Sequence, residues 1–366
     1  MSKPASRRRR LLRELTRQER SALLVCDPVN VRYLTGFTGE DSFLLLAGKQ
    51  AVMVSDARFM TQLERECPDV ELHIRRTGTT LAEAVAQVAR SLRLRQLAVE
   101  ADWLSVSQFQ ALEKHLEQVE LVPVSGMVEQ LRVIKDAEEV ALIRQAVHVA
   151  QRAFQATVAT LRGDASERQV AAELEYTIRR LGGQGCSFPP IVAVGANAAL
   201  PHAPVGETRI GQASVLLIDW GARWRGYASD LTRTLATGRV LKRFARAYQA
   251  VLEAQQAAIQ AIAPGVACTQ VDRAARRVLE KYGLGRYFTH SLGHGIGLKV
   301  HELPRLAPKQ QTPLAPGMVV TVEPGVYLPG RFGIRIEDDV LVTPEGREVL
   351  STLPRDLEEL ELPAMD

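Results

Sequence analysis

At 366 residues the chain exceeds a single core of ordinary size, so two domains are expected, and its 46% hydrophobic content is that of a globular protein. The longest apolar runs, near 43–47 and 215–218, fall far short of the ~20 residues of a membrane-spanning helix, so no membrane association is expected. The net charge of +4 is confined to one end: residues 1–20 hold seven Arg and one Lys against Glu14 and Glu19, and the remaining 346 residues sum to −2. That distribution argues against a general nucleic-acid-binding surface.

In chain order, the block Arg7 to Arg10 with Leu11, Leu12 and Leu15 reads as a short helix capping the first domain. A nucleic-acid or membrane arm and an organelle transit peptide are the alternative readings. Strand patterns follow at 22–25, 43–46, 51–54, 70–74, 97–100 and 121–124, the second and third joined by a tight Gly48-Lys49 hairpin. Helical stretches lie between them at 57–66, 81–92 and 107–116, so residues 1–125 read as an α/β domain with a mixed sheet. The boundary is expected within 122–127, a second domain over 128–345, and a C-terminal tail over 346–366. Cys26, Cys67, Cys186 and Cys268 are scattered with no C-x-x-C pair, and no secretory segment precedes them, which points to a reducing, cytoplasmic setting.

The second domain repeats itself. Val140, Ile143, Val147, Ala150, Phe154 and Val158 recur at helical spacing, and Ser166 with Gln169 then opens a second helix that Gly182 and Gly183 stop. The same order returns over 241–262, where Pro264-Gly265 follows, and in a helix that Thr269 with Asp272 opens and Gly283 closes. Val215 to Gly221 and Val319 to Gly325 then both read V-x-x-[IV]-[DE]-x-G, with Asp219 and Glu323 at the acid position. Gly163 to Gly265 is an offset of 102 residues and Asp219 to Glu323 one of 104, which identifies a duplicated half-domain. An acid closing a core-like strand is unfavourable unless something neutralises it. With Asp230 and Glu337 following each strand, the pattern predicts carboxylates converging on metal across a pseudo-two-fold axis.

Four histidines, His202, His290, His294 and His301, lie near those acids in sequence. His290 and His294 have the spacing of a zinc-binding helix, but Gly293, Gly295 and Gly297 predict a tight non-helical path instead. In Gly333-Ile-Arg-Ile-Glu337, a strand period of two puts Arg335 and Glu337 on one face, where the guanidinium would orient a ligand carboxylate. Four carboxylates and one imidazole are too many oxygen-rich ligands for one structural zinc and suit two divalent cations. Mn²⁺ or Co²⁺ fit best, with Zn²⁺ or Fe²⁺ as further options. Such a pair activates water and polarises a carbonyl oxygen.

The order of these motifs, with Gly293-His-Gly-Ile-Gly297, Glu323-Pro-Gly and Arg335-Ile-Glu-Asp338, resembles the pita-bread metallopeptidases of the Xaa-Pro aminopeptidase and Xaa-Pro dipeptidase (prolidase) branch. Asn30 to Gly39 resembles the creatinase-like amino-terminal domain of that branch. The resemblance implies an α/β (α+β) fold with a duplicated pita-bread domain, and a homodimer acting on peptides with proline at position two. It implies Asp219, Asp230, His294, Glu323 and Glu337 as metal ligands, with Glu323 also the proton shuttle. His202 corresponds to the histidine that stabilises the tetrahedral intermediate, and His301 to one at the scissile bond. His290 corresponds to a pocket residue and Arg335 to the arginine beside the last ligand. The alternatives are a methionine aminopeptidase-like activity, a creatinase-like amidinohydrolase and a non-catalytic peptide-binding module.

Overall fold

The computed structural model describes residues 3–362, and the chain divides into two units with the break between Arg132 and Val133. In the first unit six strands form one mixed sheet in the order Glu71–Arg75, Gln50–Asp56, Phe43–Ala47, Ala22–Val25, Gln96–Glu100 and Glu120–Val124. All six expected strands are present. The hairpin pairs Ala47 with Gln50, and Gly48 takes the positive φ of +57° that its turn requires. Thr80 and Ser105 cap the helices Leu81–Ser91 and Val106–His115 through capping boxes with Glu83 and Gln108.

Helix Lys3–Arg17 carries the arginine block, and it is no loose tail. Leu11 and Leu15 are buried, and Arg8 donates to Leu34 O at 2.7 Å and to Asp69 Oδ2 at 2.9 Å. Helix Pro28–Thr35 is not expected from periodicity, although Asp27 as its cap, Pro28 in its first turn and Gly36 after it are legible signals. The domain boundary also falls later than the expected 122–127. Helix Met127–Arg132 belongs to the first unit because Asn30 donates to Glu129, Arg132 donates to Asn30 and Tyr33 Oη donates to Leu131 O.

The second unit shows the duplication directly. Helices Ala137–Ala159 and Glu167–Arg180 precede the sheet Leu231–Ala236, Val215–Trp220, Ile191–Val194. Helices Lys242–Ala261 and Cys268–Lys281 precede the sheet Glu302–Leu306, Gly293–Gly295, Val319–Val322, Asp338–Thr343, Gly346–Val349. Each helix pair buries one apolar face on its own sheet: Phe154 stacks on Trp220 at 4.4 Å in the first half, and Phe244 and Val251 share a core with Val320 and Val340 in the second. Ser166 and Gln169 form the expected capping box, but the fourth helix starts differently. Its cap is Ala267, whose N–H donates to Gln270, while Asp272 turns inward to bind Arg276 and the Leu292 N–H.

The expected tail is corrected by the structure. Gly346–Val349 is an edge strand of the second sheet, and Leu362 N donates to Ala236 O in the first. Between them, Leu353 O and Pro354 O accept from the buried Arg233 guanidinium, which also donates to Asp338 Oδ1 at 2.8 Å and Glu337 O at 2.7 Å. Only residues 363–366 of that stretch lie outside the described residues.

Candidate metal centre

Strand register brings the predicted acids together. Asp219 is the penultimate residue of Val215–Trp220 and pairs with Thr232, and Asp230 immediately precedes the strand that carries Thr232. Glu323 follows Val319–Val322, and Glu337 precedes the antiparallel strand Asp338–Thr343. A bridge between Thr232 and Glu337 joins the two sheets, so acids from both halves face one space. His294 lies in the three-residue strand Gly293–Gly295, which is squeezed between two neighbours. A Cβ on Gly293 would lie 2.0 Å from Thr321 O and one on Gly295 2.1 Å from Leu303 O, so the expected tight, non-helical path is what places the imidazole.

Asp230, His294 and Glu337 each offer a ligand atom, all within 4.8 Å of one another. His294 Nε2 lies 3.6 Å from Asp230 Oδ2 and 3.4 Å from Glu323 Oε1. His294 Nδ1 donates to Gly295 O at 3.0 Å, which leaves the Nε2 lone pair facing the acids. Asp219 is held by Arg335 Nη2 at 2.5 Å, and its Oδ1 is buried without a partner, as is Glu337 Oε1. Buried carboxyl oxygens left without donors around an imidazole lone pair fit divalent cations.

Charge gives the same answer. Burial and then the Glu337 and Asp219 charges push Asp230 well above the usual carboxylate range. Burial and the Glu323 charge do the same to Glu337, and burial pushes Glu323 up to about 8. Burial and the His301 charge push His294 down to about 4, so the imidazole is neutral at ordinary pH.

Arg335 and Glu337 do share a face, but the guanidinium serves Asp219 and reaches Glu337 only through Thr232. Thr232 Oγ1 accepts from Arg335 Nε at 3.1 Å and donates to Glu337 Oε2 at 2.6 Å. Thr321 Oγ1 likewise donates to Glu323 Oε1 at 3.2 Å and accepts from His294 N at 3.1 Å. Both threonines were legible as residues two positions from an acid on the same strand face, and the sequence reading names neither. Tyr327 is also missed: its Oη accepts from Arg335 Nη1 at 2.6 Å and meets His290 Nε2 at 2.9 Å. Because His290 Nδ1 donates to Ser291 O at 2.8 Å, the proton between Tyr327 and His290 belongs to the tyrosine. Burial and the Arg335 charge push His290 down to about 4.

His301 packs edge-on against His294 with ring centroids 4.4 Å apart. Beside it, the buried pair Lys135 and Glu302 closes at 3.1 Å. His202 is exposed and follows Pro201, whose carbonyl oxygen accepts from Arg335 Nη1 at 3.4 Å. All nine predicted residues thus belong to one unit: close contacts link His290, Glu323, His294, Asp230 and His301, Thr232 and Tyr327 join the Arg335–Asp219 pair to Glu337 and His290, and Pro201 tethers His202 to Arg335.

Residues 141–344 match the model of metallopeptidase family M24, and residues 7–134 match the creatinase/prolidase N-terminal domain. The chain belongs to metallopeptidase family M24. It is 33% identical to the Xaa-Pro dipeptidase of Pyrococcus furiosus, over 92% of this chain and 94% of that one. The structure of an Xaa-Pro dipeptidase from Bacillus anthracis superposes with a TM-score of 0.94 at 35% identity, covering 98% of this chain and 100% of that one. An X-Pro aminopeptidase from Thermotoga maritima gives 0.85 at 35% identity, covering 92% and 96%. Membership of M24, a family that uses divalent metal, makes this chain a metallopeptidase with a mixed α/β fold.

Proposed function

We propose that this M24 enzyme hydrolyses the bond before proline at the amino terminus of short peptides, with two divalent cations held by Asp219, Asp230, His294, Glu323 and Glu337. The observation that carries this reading is the cluster of Asp230, His294 and Glu337 with Glu323 3.4 Å from His294, and with Asp219 Oδ1 and Glu337 Oε1 buried and without donors. Relatives named for Xaa-Pro substrates support the specificity, and a first unit matching the creatinase/prolidase domain favours this branch over methionine aminopeptidase. Mn²⁺ or Co²⁺ suit the oxygen-rich set.

Divalent cations held there would supply a Lewis acid for the scissile carbonyl and would lower the pKa of water. The protein's own groups do the rest. Glu323 takes the proton from the attacking water and delivers it to the proline nitrogen as the bond breaks. His202 and His301 donate to the developing oxyanion and the bond region, and Arg335 holds Asp219 in the orientation the ligand set needs. His290, kept neutral and oriented by Tyr327, lines the pocket for the ring. Proline lacks an N–H, so recognition falls to pocket shape instead of a backbone hydrogen bond.

Three further features complete the reading. Cys26, Cys67, Cys186 and Cys268 are all free thiols, which supports a cytoplasmic setting. Among the described residues no helix is long and apolar enough to cross a membrane. A homodimer follows the resemblance and is checked by sedimentation. The deciding assay is hydrolysis of Ala-Pro, Ala-Pro-Ala and Met-Ala-Ser by chelated protein with and without Mn²⁺ or Co²⁺. Metal-dependent cleavage of Ala-Pro alone marks a dipeptidase and cleavage of the tripeptide at Ala-Pro an aminopeptidase. Preference for Met-Ala-Ser would overturn the branch.

A further inference from the structure

The segment that presents His202 runs over 195–206, leaving the strand Ile191–Val194 with Pro201-His202 between its two ends. Glu167, the first residue of helix Glu167–Arg180, is fully buried and touches none of the predicted site residues. Its Oε1 accepts from Val194 N at 2.8 Å and Asn197 Nδ2 at 2.9 Å, where the segment begins. Its Oε2 accepts from Gly206 N at 2.9 Å, where the segment ends. One carboxyl group therefore closes both ends of the segment. A Cβ on Gly206 would stand 3.0 Å from Glu167 Oε2, a tight approach that glycine avoids. Farther along, Arg335 Nη1 donates to Pro201 O at 3.4 Å, so the segment has a second support at the histidine itself.

We propose that Glu167 is the positioning residue for His202: by holding Val194, Asn197 and Gly206 on one side chain it sets where the imidazole stands over the metal centre. The inference rests on the role assigned to His202 above. Catalytic groups need placement well within 1 Å, and a carboxyl group bonded to both ends of a segment provides it without contacting substrate. Replacing Glu167 with Gln keeps the shape but turns one acceptor oxygen into an NH₂ donor, which faces an N–H donor at one end and releases it.

The test is a double-mutant cycle on the Mn²⁺-loaded enzyme with Ala-Pro, using Glu167→Gln, His202→Ala and both together. The expected result is a fall in kcat of about tenfold or more for Glu167→Gln, with KM and metal stoichiometry changed less than about twofold, and no further fall in the His202→Ala background. An equal fall in both backgrounds, or loss of metal, would overturn the proposal and leave Glu167 a structural residue. Amide exchange is read on the same proteins: over 195–206 it accelerates in Glu167→Gln while the strands Val215–Trp220 and Val319–Val322 keep their protection. Unchanged exchange over 195–206 would overturn the proposal even if the wild type proves inactive on both Ala-Pro and Ala-Pro-Ala, an outcome that defeats the functional reading separately; if only Ala-Pro-Ala is cleaved, the cycle is read with that tripeptide. Should Glu167→Gln not fold, Asn197→Ala removes one of the three bonds and is read by the same cycle and the same exchange.

Discussion

Arg335 and Asp219 stand 116 positions apart in sequence, yet Nη2 of one donates to Oδ2 of the other at 2.5 Å with both side chains buried. The same guanidinium reaches Thr232 and Tyr327, so one planar fork orients an acid of the first half, a hydroxyl bonded to an acid of the second, and the partner of His290. Lysine keeps the charge but cannot reproduce three directed contacts. Arg335→Lys is expected to weaken metal binding by about 10–100-fold, measured by competition with a chelator. Arg335→Met leaves Asp219 buried and unpaired and is expected to cost about 3–5 kcal/mol in urea unfolding of the metal-free protein.

Metal removal has a proton signature. In the metal-free protein Asp230, Glu323 and Glu337 are all pushed upward by burial, and further by neighbouring acids, Asp219 among them, while the ligand forms are ionised. Mn²⁺ uptake at pH 7 is therefore expected to release protons, seen as a binding heat that changes with the ionisation enthalpy of the buffer. Chelation is expected to lower the melting temperature and Mn²⁺ or Co²⁺ to restore it. A buffer-independent heat would contradict the shared protonation.

Glu323→Gln preserves volume and the contact from Thr321 but removes the proton carrier and one negative ligand. Turnover is expected to fall to background while far-ultraviolet circular dichroism stays native. Retention of most activity would remove Glu323 from the proton path.

His290 gives a signed pH dependence. Burial and Arg335 hold it at about 4 in the fold against ~6.5 when unfolded, so the unfolded chain binds more protons between those values. The stability this neutral histidine contributes is complete above pH 6.5 and is lost as pH falls from 6.5 through 4, with a limiting slope of ~1.4 kcal/mol per pH unit. Urea midpoints of metal-free wild type and His290→Gln are expected to converge, or to cross, between pH 7 and pH 5. A constant difference would refute the assignment.

Arg233 and Asp338 form a buried pair that also gathers Leu353 O, Pro354 O and Ser351 Oγ. Arg233→Met is expected to cost about 3–5 kcal/mol, because Asp338 loses a partner inside the core although Arg355 Nε remains at 2.6 Å. A chain ending at residue 345 is expected to lose the second unit's cooperative unfolding, since it removes Gly346–Val349 and two of Arg233's acceptors, Leu353 O and Pro354 O.

Much of this was legible locally. The six strands of the first unit alternate with capped helices, and Thr80, Ser105 and Ser166 announce helix starts through residues three positions away. The acid-tipped strands announce themselves because Asp219 and Glu323 each close an apolar run. Where a local signal competed with a tertiary one, the tertiary one won: Thr269 and Asp272 look like a cap, but Asp272 is drawn to Arg276 and the Leu292 N–H. The acidic segment near 357–362 looks like a tail because its anchors, Leu360 in the core and Leu362 N on Ala236 O, involve residues more than 100 positions away.

The sequence by itself determined the duplication and, through the resemblance its motifs carry, the family, because repeat offset, strand period, cap spacing and motif order are written in neighbouring residues. Only the tertiary structure decided that Arg335 serves Asp219 instead of Glu337, that Thr232, Thr321 and Tyr327 orient the centre, and that Glu167 closes the segment carrying His202. Those pairings depend on which strands become neighbours and in what register. Register is set by packing across the whole unit, and no window of the chain contains it.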